Sequence, residues 1–516
     1  MIKKLLIILF VLLMSVSCSL SNKKQADTTD DNYRVFYEIF VGSFSDSNND
    51  GVGDLRGIID RLDYLNDGNI NSKDSLGIQG IWLTPIFLSP SYHKYDVIDY
   101  YRIDPAFGTQ DDLDELITKC HERNVLVILD LALNHTSVQN EWFRQFQIAH
   151  QNNDLSNKYY DYYVYSSNGY NNSGASFCYL ENTGDSYECN FSVDMPELNF
   201  DNENVRNEVL NIAKYYLNKG IDGFRFDAAK YIYLNNTDSS VNFWKWYTEE
   251  LRKIKDDIYL VGEVWSSENE ISYYQADMNC FNFTMSQAEG MIARSAKSED
   301  INRFTSYIET YQSALKNKSK YTMPISFISN HDMDRSAGYL NVENGQAYIA
   351  ANLYLLSPGS PFIYYGEEIG MKGSRGGSNT DANRRLAMRW GDNDTVKDPE
   401  GSTYDEKNQI NGTVKEQLQN KNSLLKHYAK LISIRKNYPA IARGTYTRVD
   451  LGQNNLGGFA VNYNDETLYI IHNNSDQEIS ISTDAYSKLL EYCGFAEALL
   501  KNGELKVGPY TSVILK

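Results

Sequence analysis

Between residue 33 and about residue 440 one unit recurs eight times: a short apolar run, then a stretch with helical spacing. The runs lie at 35–41, 80–83, 125–131, 223–226, 259–262, 281–283, 325–328 and 361–365. Helical patterns fall between most of them, as at 111–123, 203–218, 242–255 and 345–356. Short runs that are apolar throughout read as strands buried on both faces. Strands alternating with helices call for parallel pairing through helical crossovers. Eight such units predict an α/β fold, a (β/α)8 TIM barrel. One interval is out of scale. About ninety residues separate the third and fourth runs, and 136–200 is rich in Tyr, Asn and Ser. That is too long for a bare loop, so an inserted subdomain after strand three is expected there. The barrel then takes 33–135 and 201–440. Beyond it, short alternating runs such as 459–463 and 467–472 are separated by Gly and Asn turns, and 441–516 reads as a C-terminal antiparallel β-sandwich domain.

The first residues belong to none of this. Lys3 and Lys4 precede an apolar run from Leu5 to Met14, and Ser15, Val16 and Ser17 lead to Cys18. The run is too short to span a bilayer as a mature helix, and it has the layout of a secretion signal. Small residues ahead of a Cys resemble a bacterial lipoprotein cleavage site, which makes Cys18 the expected lipidation residue and 1–18 the signal. Residues 19–32 are polar and aperiodic, as a tether is. The expectation is a cell-envelope lipoprotein, membrane-anchored and facing the periplasm or the outside. Of the other five cysteines, Cys120 and Cys280 sit in apolar contexts. Cys178 and Cys189 lie in a Tyr/Asn/Gly-rich region where a disulfide and two free thiols both fit.

Composition narrows the partners. There are 49 Lys plus Arg against 68 Asp plus Glu, a formal charge of −19. Phosphate backbones need a basic surface, so no nucleic-acid partner is expected. The 40 Tyr supply aromatic faces with polar tips, which suit sugars. Polar residues gather where the predicted strands end: Asp130, Asn134 and His135 after strand three, Arg225 and Asp227 at strand four, Glu263 at strand five, His331 and Asp332 after strand seven. In a barrel these ends share one face and converge on one pocket. Several carboxylates in one pocket suit glycosidic cleavage, where one protonates the leaving oxygen and one attacks the anomeric carbon.

The segments Asp130-Leu131-Ala132-Leu133-Asn134-His135, Gly223-Phe224-Arg225-Phe226-Asp227, Gly262-Glu263-Val264-Trp265 and Ser329-Asn330-His331-Asp332 resemble, in order, the four motifs of the α-amylase family of glycoside hydrolases. The resemblance spans about residues 33–516. It implies that Asp227 is the nucleophile, Glu263 the acid/base and Asp332 the transition-state stabiliser. Arg225 is implied to keep Asp227 ionised, and His135 and His331 to donate to sugar hydroxyls. Met195-Pro196-Glu197-Leu198-Asn199 resembles the family's fifth motif, in a form between those of oligo-1,6-glucosidases and neopullulanases that also occurs in bacterial lipoprotein α-amylases. The segment Ser91-Tyr92-His93-Lys94-Tyr95-Asp96 resembles the amylase version after strand two, with Tyr95 under the sugar ring and His93 beside it. Exo-acting relatives carry an Asp where this chain has Tyr92. Lys230 resembles a lysine that binds sugar on the leaving-group side, although the following histidine is Tyr231 here. These details imply a retaining, endo-type α-amylase acting on starch, glycogen or maltooligosaccharides. An α-glucosidase, a neopullulanase-like enzyme, a 4-α-glucanotransferase and an inactive glucan-binding protein remain as alternatives. A monomer is expected.

One more segment carries chemistry. Asp46, Asn48, Asp50, the Val52 carbonyl and Asp54 place hard oxygen donors at alternate positions, as Ca²⁺ requires. The loop resembles the start of an EF-hand, but its twelfth position is Gly57 rather than Glu. Many α-amylase-family members bind Ca²⁺ in this loop, so the resemblance implies Ca²⁺ here. Asn134 is implied as a ligand of a second Ca²⁺, whose other ligands stay open.

Overall fold

The computed structural model describes residues 25–516 apart from 170–173, 299, 377–379, 393 and 406–408. The signal reading of 1–18, Cys18 itself and the tether residues 19–24 lie outside the described residues.

Eight parallel strands form one sheet: β1 (Phe36–Ile39), β2 (Gly80–Leu83), β3 (Leu126–Leu131), β4 (Gly223–Phe226), β5 (Tyr259–Gly262), β6 (Asn279–Cys280), β7 (Ile325–Ser326) and β8 (Ser360–Tyr364). Their order is β6-β5-β4-β3-β2-β1-β8-β7. A parallel bridge between Phe281 and Ile325 joins the two ends of that order, so the sheet closes into the expected barrel. The sixth strand falls two residues earlier than its apolar pattern suggests. Phe281 has already turned into the barrel core, against Trp82 and Phe362 at ring distances of 5.5 and 5.0 Å, and Phe283 stacks on Trp265. Apolar alternation there reports core packing that continues past the short ladder, with Phe281 alone still bridged to Ile325.

The crossover helices start and stop where the sequence dictates. Gln110–His121 opens with a capping box from Thr109 and Asp112, carries Asp111 and Asp112 in its first turn and Lys119 and His121 in its last, and buries Leu113, Leu116, Ile117 and Cys120. Asn202 and Asn236 cap Glu203–Asn218 and Thr237–Arg252, each accepting one N–H of the first turn.

The insertion between β3 and β4 holds a helix, Glu141–Gln151, and a three-stranded antiparallel sheet. Cys178 and Cys189 are joined there as a disulfide. Beyond the barrel, a five-stranded and a three-stranded antiparallel sheet enclose a small core of Leu456, Ile471, Ile479, Leu505, Val507 and Val513. Other residues of this domain, including Tyr446, Phe459, Val461, Ile470 and Ile514, belong to the barrel's own core. Asn352 on the barrel helix Gln346–Leu355 donates to the Cys493 carbonyl and to Ser512, both at 2.8 Å.

Residues 25–32, read from sequence as the end of a tether, are docked on the barrel. Gln79 donates to Asp27 and Thr29 at 2.9 Å, Asn124 donates to the carbonyls of Asp27 and Thr29, and Arg443 pairs with Asp31 at 2.6 Å. Gln79 and Asn124 lie one and two residues before β2 and β3, so the segment lies at the N-terminal face. Polar, aperiodic sequence there encodes hydrogen bonding to loops instead of freedom. Among the described residues no helix is long and apolar enough to cross a membrane.

Candidate active site

Side-chain parity on β4 sets the centre of the site. Phe226 turns outward and packs on Trp244 and Tyr247 of the helix Thr237–Arg252, at ring distances of 4.6 and 5.7 Å. Arg225 and Asp227 therefore face inward. Arg225 Nη1 donates to Asp130 Oδ1 and Oδ2 at 2.9 and 3.0 Å and to Asp227 Oδ1 at 2.6 Å. Its Nη2 donates to Glu263 Oε2 at 2.6 Å. Trp82 Nε1 and the Tyr95 hydroxyl also donate to Asp130. Ala228, next to Asp227, has a left-handed backbone with φ of 48°, and its N–H donates to Glu263 Oε2 at 3.2 Å. That conformation costs a non-glycine residue on the order of 1–2 kcal/mol, and here it orients the Glu263 carboxyl.

Asp332 has a second set of partners. Its Oδ1 accepts from Arg385 Nη2 at 2.8 Å, and its Oδ2 lies 3.1 Å from His331 Nε2. His331 Nδ1 meets Glu38 Oε1 at 2.6 Å. Arg385 Nη1 also donates to the Tyr92 hydroxyl at 3.0 Å.

Five carboxyl groups (Glu38, Asp130, Asp227, Glu263 and Asp332) thus crowd around three cationic groups, Arg225, His331 and Arg385. Burial drives the Glu263 carboxyl up to about 7 against the pull of Arg225, and Asp227 and Asp332 add like-charge repulsion. Burial also raises Asp227. The expected pairing with Arg225 is present, but burial and the neighbouring Asp130 and Asp332 outweigh it. Asp332 moves the other way: burial opposes its charge, yet the His331 and Arg385 cations hold it well below the usual carboxylate range. Burial alone would neutralise His331, but Asp332 and Glu38 lift it to about 10.

An open cleft of about 890 Å³ lies over these groups, lined among others by Tyr92, His93, Tyr95, His135, Asp227, Lys230, Glu263 and Asp332. Arg225 and His331 are fully buried and take no part in that lining. Both His331 ring nitrogens meet protein partners, Nδ1 with Glu38 and Nε2 with Tyr95 and Asp332. His135 does face the cleft. Its two ring nitrogens are buried without a well-formed hydrogen bond, and burial lowers its pKa to about 4, leaving a neutral ring that both donates and accepts. His93 is likewise lowered to about 4 by burial, and its Nδ1 accepts from the Tyr95 N–H at 3.2 Å. Lys230 Nζ donates to the Trp265 carbonyl at 2.8 Å. The half-exposed rings of Phe191 and Trp265 add apolar walls, Phe191 lying 5.2 Å from His135 and 5.0 Å from Tyr231.

Three of these residues escape sequence reasoning. Glu38 carries a signal in hindsight, a carboxylate inside an apolar strand. Arg385, after β8, and Phe191, in the insertion, carry none.

The 46–54 loop lies apart from the cleft. Asp46 accepts the N–H groups of Asn48, Asn49 and Gly51, Asn48 accepts Asp50 N–H, and Asp50 accepts Val52 N–H. Asp54 caps the helix Leu55–Asp60 through Gly57 N–H and also accepts from Ser47. The donor set is all hard oxygen, the type that Ca²⁺ takes. Among the described residues no three His, Cys, Asp or Glu side chains are drawn together as ligands. In the insertion, Asn134 donates to Glu197 at 3.0 Å, and burial beside Glu188 raises Glu197 to about 7.

Comparison with known proteins agrees with this geometry. Residues 38–444 match the family model described as alpha amylase, catalytic domain. Alpha-amylase 3 of Dictyoglomus thermophilum is 36% identical over 485 residues, covering 93% of each chain. Oligo-1,6-glucosidase of Bacillus cereus is 30% identical, covering 93% of this chain and 97% of the relative. A 4-alpha-glucanotransferase of Thermotoga neapolitana is 28% identical over 86% of this chain and 96% of its own. Among solved structures, Eubacterium rectale Amy13B superposes with a TM-score of 0.87 at 35% identity, covering 96% of this chain and 97% of the other. With the barrel, the carboxylate cluster and the matched span in agreement, this chain belongs to the α-amylase family of glycoside hydrolases.

Proposed function

We propose that this enzyme is a retaining, endo-acting α-amylase that cleaves α-1,4 bonds within starch, glycogen or maltooligosaccharides. The observation that carries the reaction type is the guanidinium of Arg225, which touches Asp227 and Glu263 at once. Sharing one cation keeps the two carboxyl groups close. Retaining enzymes need about 5–5.5 Å, whereas inverting pairs stand about 6.5–9.5 Å apart to admit a water. Asp227, with Oδ1 held on Arg225, attacks the anomeric carbon through its other oxygen. Glu263 gives its proton to the departing glycosidic oxygen. The resulting carboxylate then takes a proton from water, whose oxygen displaces Asp227 and restores the α configuration. Asp332, kept ionised, faces the positive charge that develops on the ring. Tyr95 supplies an aromatic face, and His93 and His135 supply hydrogen bonds.

Support for internal cleavage comes from Tyr92. A carboxylate at that position would grip a chain end; here a phenol is tied to Arg385 instead. Phe191, Lys230 and Trp265 suit further sugar units on the leaving-group side. The proposal also gives the 46–54 loop a calcium ion, held by Asp46, Asn48, Asp50, Asp54 and the Val52 carbonyl, whose contribution is stability rather than chemistry. Cys18 is proposed as a lipid anchor. NMR of fresh products from starch, with chain-length analysis on starch, pullulan and maltooligosaccharides, tests the function. α-Anomers and mixed internal fragments are expected. Glucose alone would identify an exo-glucosidase, cleaved pullulan a neopullulanase-like enzyme, and redistributed chain lengths without new reducing ends a glucanotransferase.

A further inference from the structure

We propose that Glu38 is a positioning residue for Asp332, acting through His331. Glu38 stands on β1 beside Phe36, which shares its face and packs inside the barrel on Tyr259 and Phe362. It is a carboxylate with 1% exposure in a core of aromatic rings. A buried acid without a partner is costly, so its retention calls for a reason. Its Oε1 accepts both the His331 backbone N–H at 3.2 Å and, at 2.6 Å, His331 Nδ1.

Hydrogen accounting fixes the state of the ring. Tyr95 has one hydroxyl proton, and it goes to Asp130 Oδ2 at 2.9 Å. The Tyr95 hydroxyl oxygen also lies 2.6 Å from His331 Nε2, so Nε2 carries the proton of that contact. Nε2 also lies 3.1 Å from Asp332 Oδ2. Nδ1, against Glu38, carries the second proton. His331 is thus an imidazolium clamped between two carboxylates, one behind it and one in the cleft. Other charged or titratable groups close to the ring are Asp130 and Arg225 from β3 and β4, His93 and Tyr95 from the loop after β2, Tyr364 from β8 and Arg385, whose Nε donates to the His331 carbonyl. Of these, Asp130 favours the imidazolium, Arg225, Arg385 and His93 when charged oppose it, and the two phenols are neutral. Glu38 is the only one of the carboxylates in direct contact with Nδ1.

The consequence is electrostatic. With Glu38 charged, His331 stays cationic across the working range, Asp332 stays ionised, and the Tyr95 ring stays stacked on His331 at 5.4 Å. Glu38→Gln keeps the acceptor for the His331 backbone N–H and removes the charge. His331 then deprotonates at a lower pH, and Asp332 loses its neighbour's charge as pH rises.

The inference rests on the glycosidase reading of Asp332, so it is tested in two ways. Glu38→Gln is expected to melt within a few degrees of the wild type. Its activity on maltooligosaccharides should fall only slightly at pH 6 and about tenfold or more at pH 8, with the loss in kcat rather than KM. Glu38→Asp, which keeps the charge, should recover part of the loss at pH 8. A role in packing alone would depress both pH values equally and would not respond to charge, and a pH profile superimposable on the wild type overturns the proposal. Independently of catalysis, ¹⁵N-histidine NMR of the wild-type protein should show the His331 ring doubly protonated at pH 7.5, with the signal identified by its loss in His331→Asn. A neutral ring there also overturns it, even if Glu38→Gln fails to fold. A wild type lacking glycosidase activity would refute the catalytic reading while leaving the NMR result to judge the clamp.

Discussion

At the residue scale, Arg225 makes Asp227 and Glu263 members of one charge cluster, and substitutions there separate chemistry from folding. Asp227→Asn removes the attacking oxygen but leaves Arg225 paired with Asp130 and Glu263. The variant should lose roughly 10⁴-fold or more in kcat on maltooligosaccharides while its melting temperature stays within a few degrees. Near-normal turnover by a folded variant would remove Asp227 from the reaction. Burial raises Glu263 to about 7, and an acid catalyst works only while protonated. The rate constant kcat/KM should therefore fall tenfold per unit above about pH 7, and fall again on the acid side where Asp227 becomes protonated. Glu263→Gln should abolish the alkaline fall and retain measurable activity only on aryl glycosides whose leaving group needs no proton. An alkaline limb that persists unchanged in Glu263→Gln would assign the acid elsewhere. The motif residues were legible because strand-end placement and four ordered segments pointed to one pocket. Glu38 and Arg385 were not, because they approach from β1 and from beyond β8, and only closure of the barrel brings them to Asp332.

At the scale of elements, alternation of apolar runs and helices placed seven of the eight barrel strands and put the sixth two residues late, since buried parallel strands carry their signal in each residue. Their ends were less legible. At 281–283 apolar side chains serve core packing beyond a strand of two residues, and at 25–32 polar ones serve docking; neither pattern marks where pairing ends or freedom begins. The 46–54 loop shows a related ambiguity, because the oxygens that curl it are those that would hold an ion. If calcium binds the folded loop, saturation a hundredfold above Kd adds about 2.7 kcal/mol, or about 2–3 °C for a chain of this size. Chelator should lower the melting temperature by that amount, and Asp50→Ala should remove the chelator's effect. Equal melting curves with and without chelator would make the loop a turn only.

At the scale of the whole molecule, the C-terminal domain completes the barrel. Tyr446, Phe459, Val461, Ile470 and Ile514 are part of the barrel's core, and Asn352 relies on Cys493 and Ser512 for its hydrogen bonds. Losing five such side chains costs on the order of 10 kcal/mol, comparable with a whole domain's stability. A chain ending at residue 444 should be insoluble or lack near-ultraviolet circular dichroism, whereas a well-folded, active truncation would show the domain to be dispensable. Cys18→Ser should move the protein from the membrane fraction to the soluble fraction without changing the specific activity of the cleaved product. A wild type that is already soluble and carries no fatty acid would replace the anchor with plain secretion.

The docked segment 25–32 would give a lipid anchor at Cys18 a direction. It is fastened beside Gln79 and Asn124, at the end of the barrel opposite the cleft. From Cys18 to Gln25 the chain reaches at most about 25 Å. A lipid at Cys18 would therefore hold the barrel by its base, like a cup standing on a table, with its mouth turned away from the bilayer. Held in that way, the cleft would stay open toward the medium to a polymer too large to approach a membrane-facing one.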